Sequence, residues 1–83
     1  MTTIPQGWSG DEKKIAKVFH FGTFAQALGF MVEVGLYCER EDHHPEWKNV
    51  YNKVWVELST HSAGKVTEKD LALAVHMDKV FAR

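Results

Sequence analysis

The chain has 83 residues, 45% of them hydrophobic and 25% charged, with 10 basic against 11 acidic side chains and a formal net charge of −1. One small domain spanning 1–83 is expected, burying only about 60% of its unfolded surface, so association with further copies is a common route to stability. The charge balance gives no general attraction for nucleic acid, no apolar run reaches the ~20 residues of a membrane helix, and the lone Cys38 points to a reducing compartment such as the cytoplasm.

The N-terminal text MTTIPQGWSGDEKK lacks the basic start and apolar run of a signal peptide. Residues 4–8, IPQGW, read as a short strand, and SGD (9–11) as a turn in which Gly10 supplies unusual backbone angles. KIAKVFHF (14–21) sets Ile15, Phe19 and Phe21 on one side at period two, with Lys17 interrupting. This predicts a strand ending at Gly22.

TFAQALGFMVEVGLYCERE (23–41) is the clearest helix. Thr23 followed by Gln26 is a capping-box pattern. Phe24, Leu28, Met31, Val32 and Leu36 share helical spacing, and Phe30, Val34 and Tyr37 form a second apolar set. A helix apolar on two sides is buried on two sides. One side would face a sheet, and the other either a partner subunit or more of the same core.

Pro45 breaks the helix in DHHPEW. KNVYNKVWVELST (48–60) then reads as one strand. Val50, Val54, Val56 and Leu58 lie on one face, and Tyr51, Lys53, Trp55, Glu57 and Ser59 on the other. HSAGK (61–65) is a loop. Thr67 opens the last helix, with Asp70 placed to bond back to its free N–H groups. Leu73, Met77, Val80 and Phe81 give that helix its apolar stripe. The order strand–strand–helix–strand–helix predicts an α+β domain, a small antiparallel sheet with two helices on one face.

His20 and His76 have no polar cluster beside them and read as ordinary structural residues. His43 and His44 follow the long helix directly, and His61 lies just past the next strand. If the 42–46 loop folds over that strand end, the three imidazoles share one pocket, with Glu39, Asp42 and Glu46 available to orient them. Imidazoles and carboxylates suit zinc, but there is no H-x-x-x-H pair and no cysteine set. Imidazoles also suit acid/base catalysis, because they titrate near neutrality. Trp47 and Tyr51 could stack on a flat ligand. A capped loop with hydrogen-bonded histidines and core aromatics accounts for the same residues, so spacing alone leaves all three readings open.

Glu39, then after three residues His43-His44-Pro45, after five Tyr51, after nine His61 and after eight Asp70 make a longer pattern. It resembles the pterin-4a-carbinolamine dehydratases, also known as dimerisation cofactors of a homeodomain transcription factor. DHHPEWKNVYNKV, LSTHSAG and FHFGTFAQALGFM resemble them too, so the likeness runs from about Trp8 to the end. It implies a dehydratase that removes water from a 4a-hydroxytetrahydropterin to give the quinonoid dihydropterin in tetrahydrobiopterin recycling, with no metal and no cofactor. By the same resemblance His43, His44 and His61 are the catalytic set, with His43 and His61 as the acid/base pair. His44 and Asp42 bind or orient the pterin, and Trp47 lines the pocket. Ser59, Thr60 and Ser62 offer backbone contacts. Glu39 stands behind the histidines, and Asp70 belongs to the pattern even if it only caps its helix. Homodimers or homotetramers through sheet edges and the long helix are implied. So are a transcription-factor partner and nuclear as well as cytoplasmic residence for some members. The resemblance also implies a further N-terminal helix in many members, which this sequence is expected to lack, and the link from Trp8 to Ile15 looks shortened.

Overall fold

Alternating residues Ile15, Phe19, Val54, Val56 and Leu58 are all buried on one side of a four-stranded antiparallel sheet. The computed structural model describes residues 3–83, so the first two residues of the expected domain lie outside the described residues. The elements are β1 (Ser9–Gly10), β2 (Ile15–His20), α1 (Phe24–Glu41), β3 (Glu46–Val50), β4 (Lys53–Leu58) and α2 (Glu68–Ala82), and the sheet order is β1-β2-β4-β3. Both helices cover the buried face, as the sequence predicts. Phe30, Val34, Leu73 and Met77 meet the strand residues in a single core. Fully burying a side chain of this kind contributes roughly 1.5–3 kcal/mol.

Each helix starts on a capping box. Thr23 Oγ1 accepts from Gln26 N at 3.1 Å, and Gln26 Oε1 accepts from Thr23 N at 3.2 Å. Lys17, which interrupts the strand pattern, points inward but is not stranded. Its ammonium pairs with Asp78 of α2 at 2.7 Å and lies 4.9 Å from the Phe19 ring centroid.

Two local expectations are corrected. Residues 4–8 are not a strand: Trp8 N bonds Pro5 O across a turn, and the strand begins at Ser9, one step later. Gly10 has φ +119°, and a Cβ there would lie 2.1 Å from Lys14 O, so the tight connection to β2 requires glycine. Residues 48–60 are two strands, not one. Tyr51 takes a left-handed φ of 51° and the chain reverses at Tyr51–Asn52. Asn52 pins that reversal to β2 by bonding Phe21 through both its backbone and its side chain. Val50 therefore pairs with Lys53 and faces outward, not inward with Val54. The end of α1 at Glu41 is the one the sequence predicts, and the backbone itself makes the stop ahead of Pro45. Asp42 adopts the left-handed cap (φ 53°, ψ 45°), and the N–H groups of Asp42 and His43 close on Glu39 O and Cys38 O. Asp tolerates that conformation better than most residues.

The two apolar sides of α1 have different fates. Ala27, Phe30, Val34 and Cys38 face the core. Phe24, Leu28, Val32 and Leu36 are exposed, Leu36 by 69%. This excludes the thick-core alternative for that stripe.

Candidate active site

The left-handed turn at Asp42 throws the chain back across the end of the helix pair. His43 then meets the first turn of α2. Its Nε2 lies 2.6 Å from Asp70 Oδ1, with the imidazole 11% exposed and the carboxylate 0% exposed. Asp70 Oδ2 accepts from Thr67 N at 2.9 Å and from Thr60 Oγ1 at 2.7 Å. Thr60 Oγ1 lies 2.7 Å from Thr67 Oγ1, extending the network. Asp70 is thus both the helix cap that its sequence position predicts and the partner of His43. A carboxylate only accepts, so Nε2 carries the hydrogen and Nδ1 is left for a ligand.

His61 comes from the other side. It follows β4 in a tight turn where Thr60 N bonds Lys65 O and Thr60 O accepts from Ala63 N and Gly64 N. The left-handed φ of Gly64, +67°, closes that turn. The His61 side chain is 86% exposed, 3.4 Å from Glu46 Oε1. His44 is exposed too, 3.8 Å from Glu39 Oε1.

These loops border an open hollow of about 470 Å3, within the usual size range of small-ligand sites. Its walls include Asp42, His43, His44, Ser59, Thr60, His61 and Ser62, so seven of the ten sequence candidates converge on it. Asp70 stands behind it through His43. Glu39 reaches it only through His44. Trp47 is half-buried against the core and borders a neighbouring groove with Lys48 and Trp55. The amide and carbonyl of Thr60 are occupied within its turn, and its hydroxyl serves Asp70. Ser59 Oγ bonds Lys13 O at 2.8 Å, tying the cavity floor to the β1–β2 loop.

Sequence reasoning missed Lys69, the cavity's cationic wall residue. Its position beside Asp70 in the capping box was the available signal. His20 and His76 stay apart from the site. The His76 ring stacks on Tyr37 (centroids 4.1 Å apart, planes at 13°), and burial holds its pKa below the ordinary value.

The carboxylates pair off with the imidazoles one by one. Among the described residues no three His, Cys, Asp or Glu side chains are arranged to hold a metal ion. The Cys38 thiol, buried at the end of α1, has its pKa pushed up to about 11 by burial. It is therefore a neutral thiol at physiological pH, not a metal-binding thiolate.

Residues 1–80 match the family described as Pterin 4 alpha carbinolamine dehydratase. The chain belongs to that family. A relative from Nitrobacter hamburgensis, provisionally named a pterin-4-alpha-carbinolamine dehydratase, is 51% identical over 76 residues, covering 89% of this chain and 75% of the relative. A relative from Prochlorococcus marinus with the same provisional name is 48% identical over 88% of this chain and 77% of its own. A crystal structure of a transcriptional coactivator/pterin dehydratase from Brucella melitensis superposes with a TM-score of 0.87 at 44% identity, over 90% of this chain and 82% of that one. A pterin dehydratase-like protein that is a RuBisCO assembly factor in the alpha-carboxysome shares the fold, with a TM-score of 0.74 at 23% identity over 89% of this chain and 86% of that one. The pterin-dehydratase fold is thus shared by a coactivator/pterin dehydratase and a RuBisCO assembly factor. No helix among the described residues is long and apolar enough to cross a membrane.

Proposed function

We propose that this family member is a hydro-lyase that dehydrates a 4a-hydroxytetrahydropterin, as in tetrahydrobiopterin recycling. The observation that carries this reading is the 2.6 Å His43–Asp70 pair bordering the cavity that also receives His44 and His61. Elimination breaks the C4a–O bond and removes the hydrogen from N5, leaving a C4a=N5 double bond and one water. One imidazole delivers a proton to the leaving hydroxyl and the other takes the proton from N5. His43 and His61, entering from different loops, supply the pair. His44 and Asp42 hold the pterin, Ser59 and Ser62 contact its edge, and Trp47 stiffens the strand behind the loop. The chemistry needs no metal.

The test is the rate of 4a-hydroxytetrahydropterin dehydration, followed by absorbance, against the buffer reaction. Acceleration that survives a chelator is expected. A folded protein no faster than buffer overturns the reading.

A second reading rests on the exposed stripe Phe24, Leu28, Val32 and Leu36 of α1. Single exposed apolar residues are ordinary, but a continuous stripe marks an interface. We propose that it joins copies into a homodimer or homotetramer, and that it could instead dock a protein partner such as a transcription factor. The similar Brucella protein is described as a transcriptional coactivator as well as a pterin dehydratase, which supports the partner role. Sedimentation is expected to show an oligomer that Val32→Glu dissociates, and a parent that is monomeric at micromolar concentration contradicts it.

A further inference from the structure

Every hydrogen in the network behind His43 has a single place to go. The Asp70 carboxylate only accepts. Its Oδ2 takes the Thr60 hydroxyl at 2.7 Å and the Thr67 backbone N–H at 2.9 Å, and its Oδ1 faces His43 Nε2 at 2.6 Å. A hydroxyl has one hydrogen. That of Thr60 goes to Asp70, so across the 2.7 Å between the two hydroxyls Thr67 donates and Thr60 accepts. Thr67 Oγ1 in turn accepts from Lys69 N at 3.3 Å. The relay therefore runs one way, from the start of α2 through Thr67, Thr60 and Asp70 to His43. We infer that Thr60 is a positioning residue: its hydroxyl fixes the rotation of the Asp70 carboxylate and so holds His43 in the one tautomer whose Nδ1 is bare toward the histidine cavity. The effect on rate rests on the dehydratase reading, and the relay adds to that reading a hydroxyl that acts only through Asp70.

Thr60 is itself held in place for this. Its backbone N–H donates to Lys65 O, and its carbonyl accepts from Ala63 N and Gly64 N. The β1–β2 loop grips the turn from both flanks: Ser59 Oγ donates to Lys13 O at 2.8 Å, and Val66 N donates to Glu12 O at 2.8 Å. Thr60 cannot swing away from Asp70 without disturbing these bonds. Asp70 is fully buried, so solvent does not simply replace a donor that is lost there. Without the Thr60 hydroxyl, Oδ2 keeps one backbone donor and the carboxylate can rotate. The imidazole follows it, and its hydrogen is no longer confined to Nε2.

The experiment reads the site imidazoles by two-bond 1H–15N NMR at a pH where they are neutral, with kcat and KM for a 4a-hydroxytetrahydropterin measured in parallel. In the parent, His43 is expected to show a hydrogen-bearing Nε2 and a bare Nδ1, while the exposed His44 and His61 average between tautomers. Thr60→Val keeps the shape and removes the hydroxyl. It is expected to move the His43 signals toward the averaged pattern and to lower kcat by ~10–10²-fold, the scale of a misplacement of about 1 Å, with KM little changed. Thr60→Ser is expected to restore both. A parent whose His43 averages, or carries its hydrogen on Nδ1, overturns the relay whether or not the valine variant folds. So does a folded Thr60→Val with parental His43 signals or parental kcat, or a serine variant that behaves like the valine one. The expected NMR pattern in a parent without turnover keeps the relay and sinks the dehydratase. Turnover without that pattern does the reverse.

Discussion

His43 and His61 border one cavity but are held in opposite ways. His43 is 11% exposed and bonded at 2.6 Å to a carboxylate that is itself fully buried, capped and triply bonded. His61 is 86% exposed on a surface turn, 3.4 Å from an exposed glutamate. Exposed pairs of the second kind contribute ~0–1 kcal/mol. The first kind is held by a network that the fold itself requires, because Asp70 also starts α2. One half of the site is thus fixed when the chain folds. The other is held only by an exposed pair at the surface. The difference teaches that a protein this small can anchor one imidazole of a candidate site at no extra structural cost by making it share a helix cap.

Substitutions can break that comparison. The largest expected effect is on rate alone: His61→Ala should lower kcat/KM by ~10²–10⁴-fold, as for an acid/base group. Its melting temperature should hold, because an exposed turn residue changes stability by only about ±0.5 kcal/mol. A large loss of melting temperature would show that the two halves are not distinct. Next comes Asp70→Asn. It keeps the shape but turns one of the accepting oxygens into a donor facing donors. Stability should fall by about 1–3 kcal/mol in denaturant unfolding, and activity should fall with it through the loosened His43. Unchanged stability would mean that Asp70 is not the anchor.

The smallest effect concerns pH and lies behind the fixed half. Burial lowers the His76 pKa from the ordinary 6.5, with Glu33 opposing and Arg40, Arg83 and Lys79 assisting. The unfolded chain therefore takes up this proton first. The His76 share of stability is intact above the unfolded value, declines as pH falls through it, and levels off below the folded value. His76→Phe, which keeps a ring against Tyr37, should narrow the gap in melting temperature between about pH 7.5 and pH 5. An unchanged gap would show that other groups carry it.

Local signals were legible and long-range ones were not. Both helix starts could be read from Thr23–Gln26 and Thr67–Asp70, because a capping box is complete within four residues. The inward phase of Val54, Val56 and Leu58 was legible for the same reason. The hairpin was not, since its reversal rests on Tyr51 at positive φ, a conformation that Gly or Asn would normally announce. A two-residue reversal also flips the pleat, which is why Val50 reads as inward and lies outward. The α1 stripe that looks strongest in sequence is the exposed one, because spacing shows that a face is apolar but not what covers it. At the site, the histidine pattern located the cavity. The bond from His43 to Asp70 spans 27 residues, and only the left-handed turn at Asp42 brings the two together. Lys69 was missed because its place beside Asp70 in the capping box sets it near the site without showing which way its side chain faces.

The most direct measurement is the dehydration rate of a 4a-hydroxytetrahydropterin by the parent and by His43→Ala at equal folded concentration. The account predicts a fall of ~10²–10⁴-fold in the variant. A variant as fast as the parent would contradict it, leaving the anchored imidazole a structural plug beneath a cavity that works by other means.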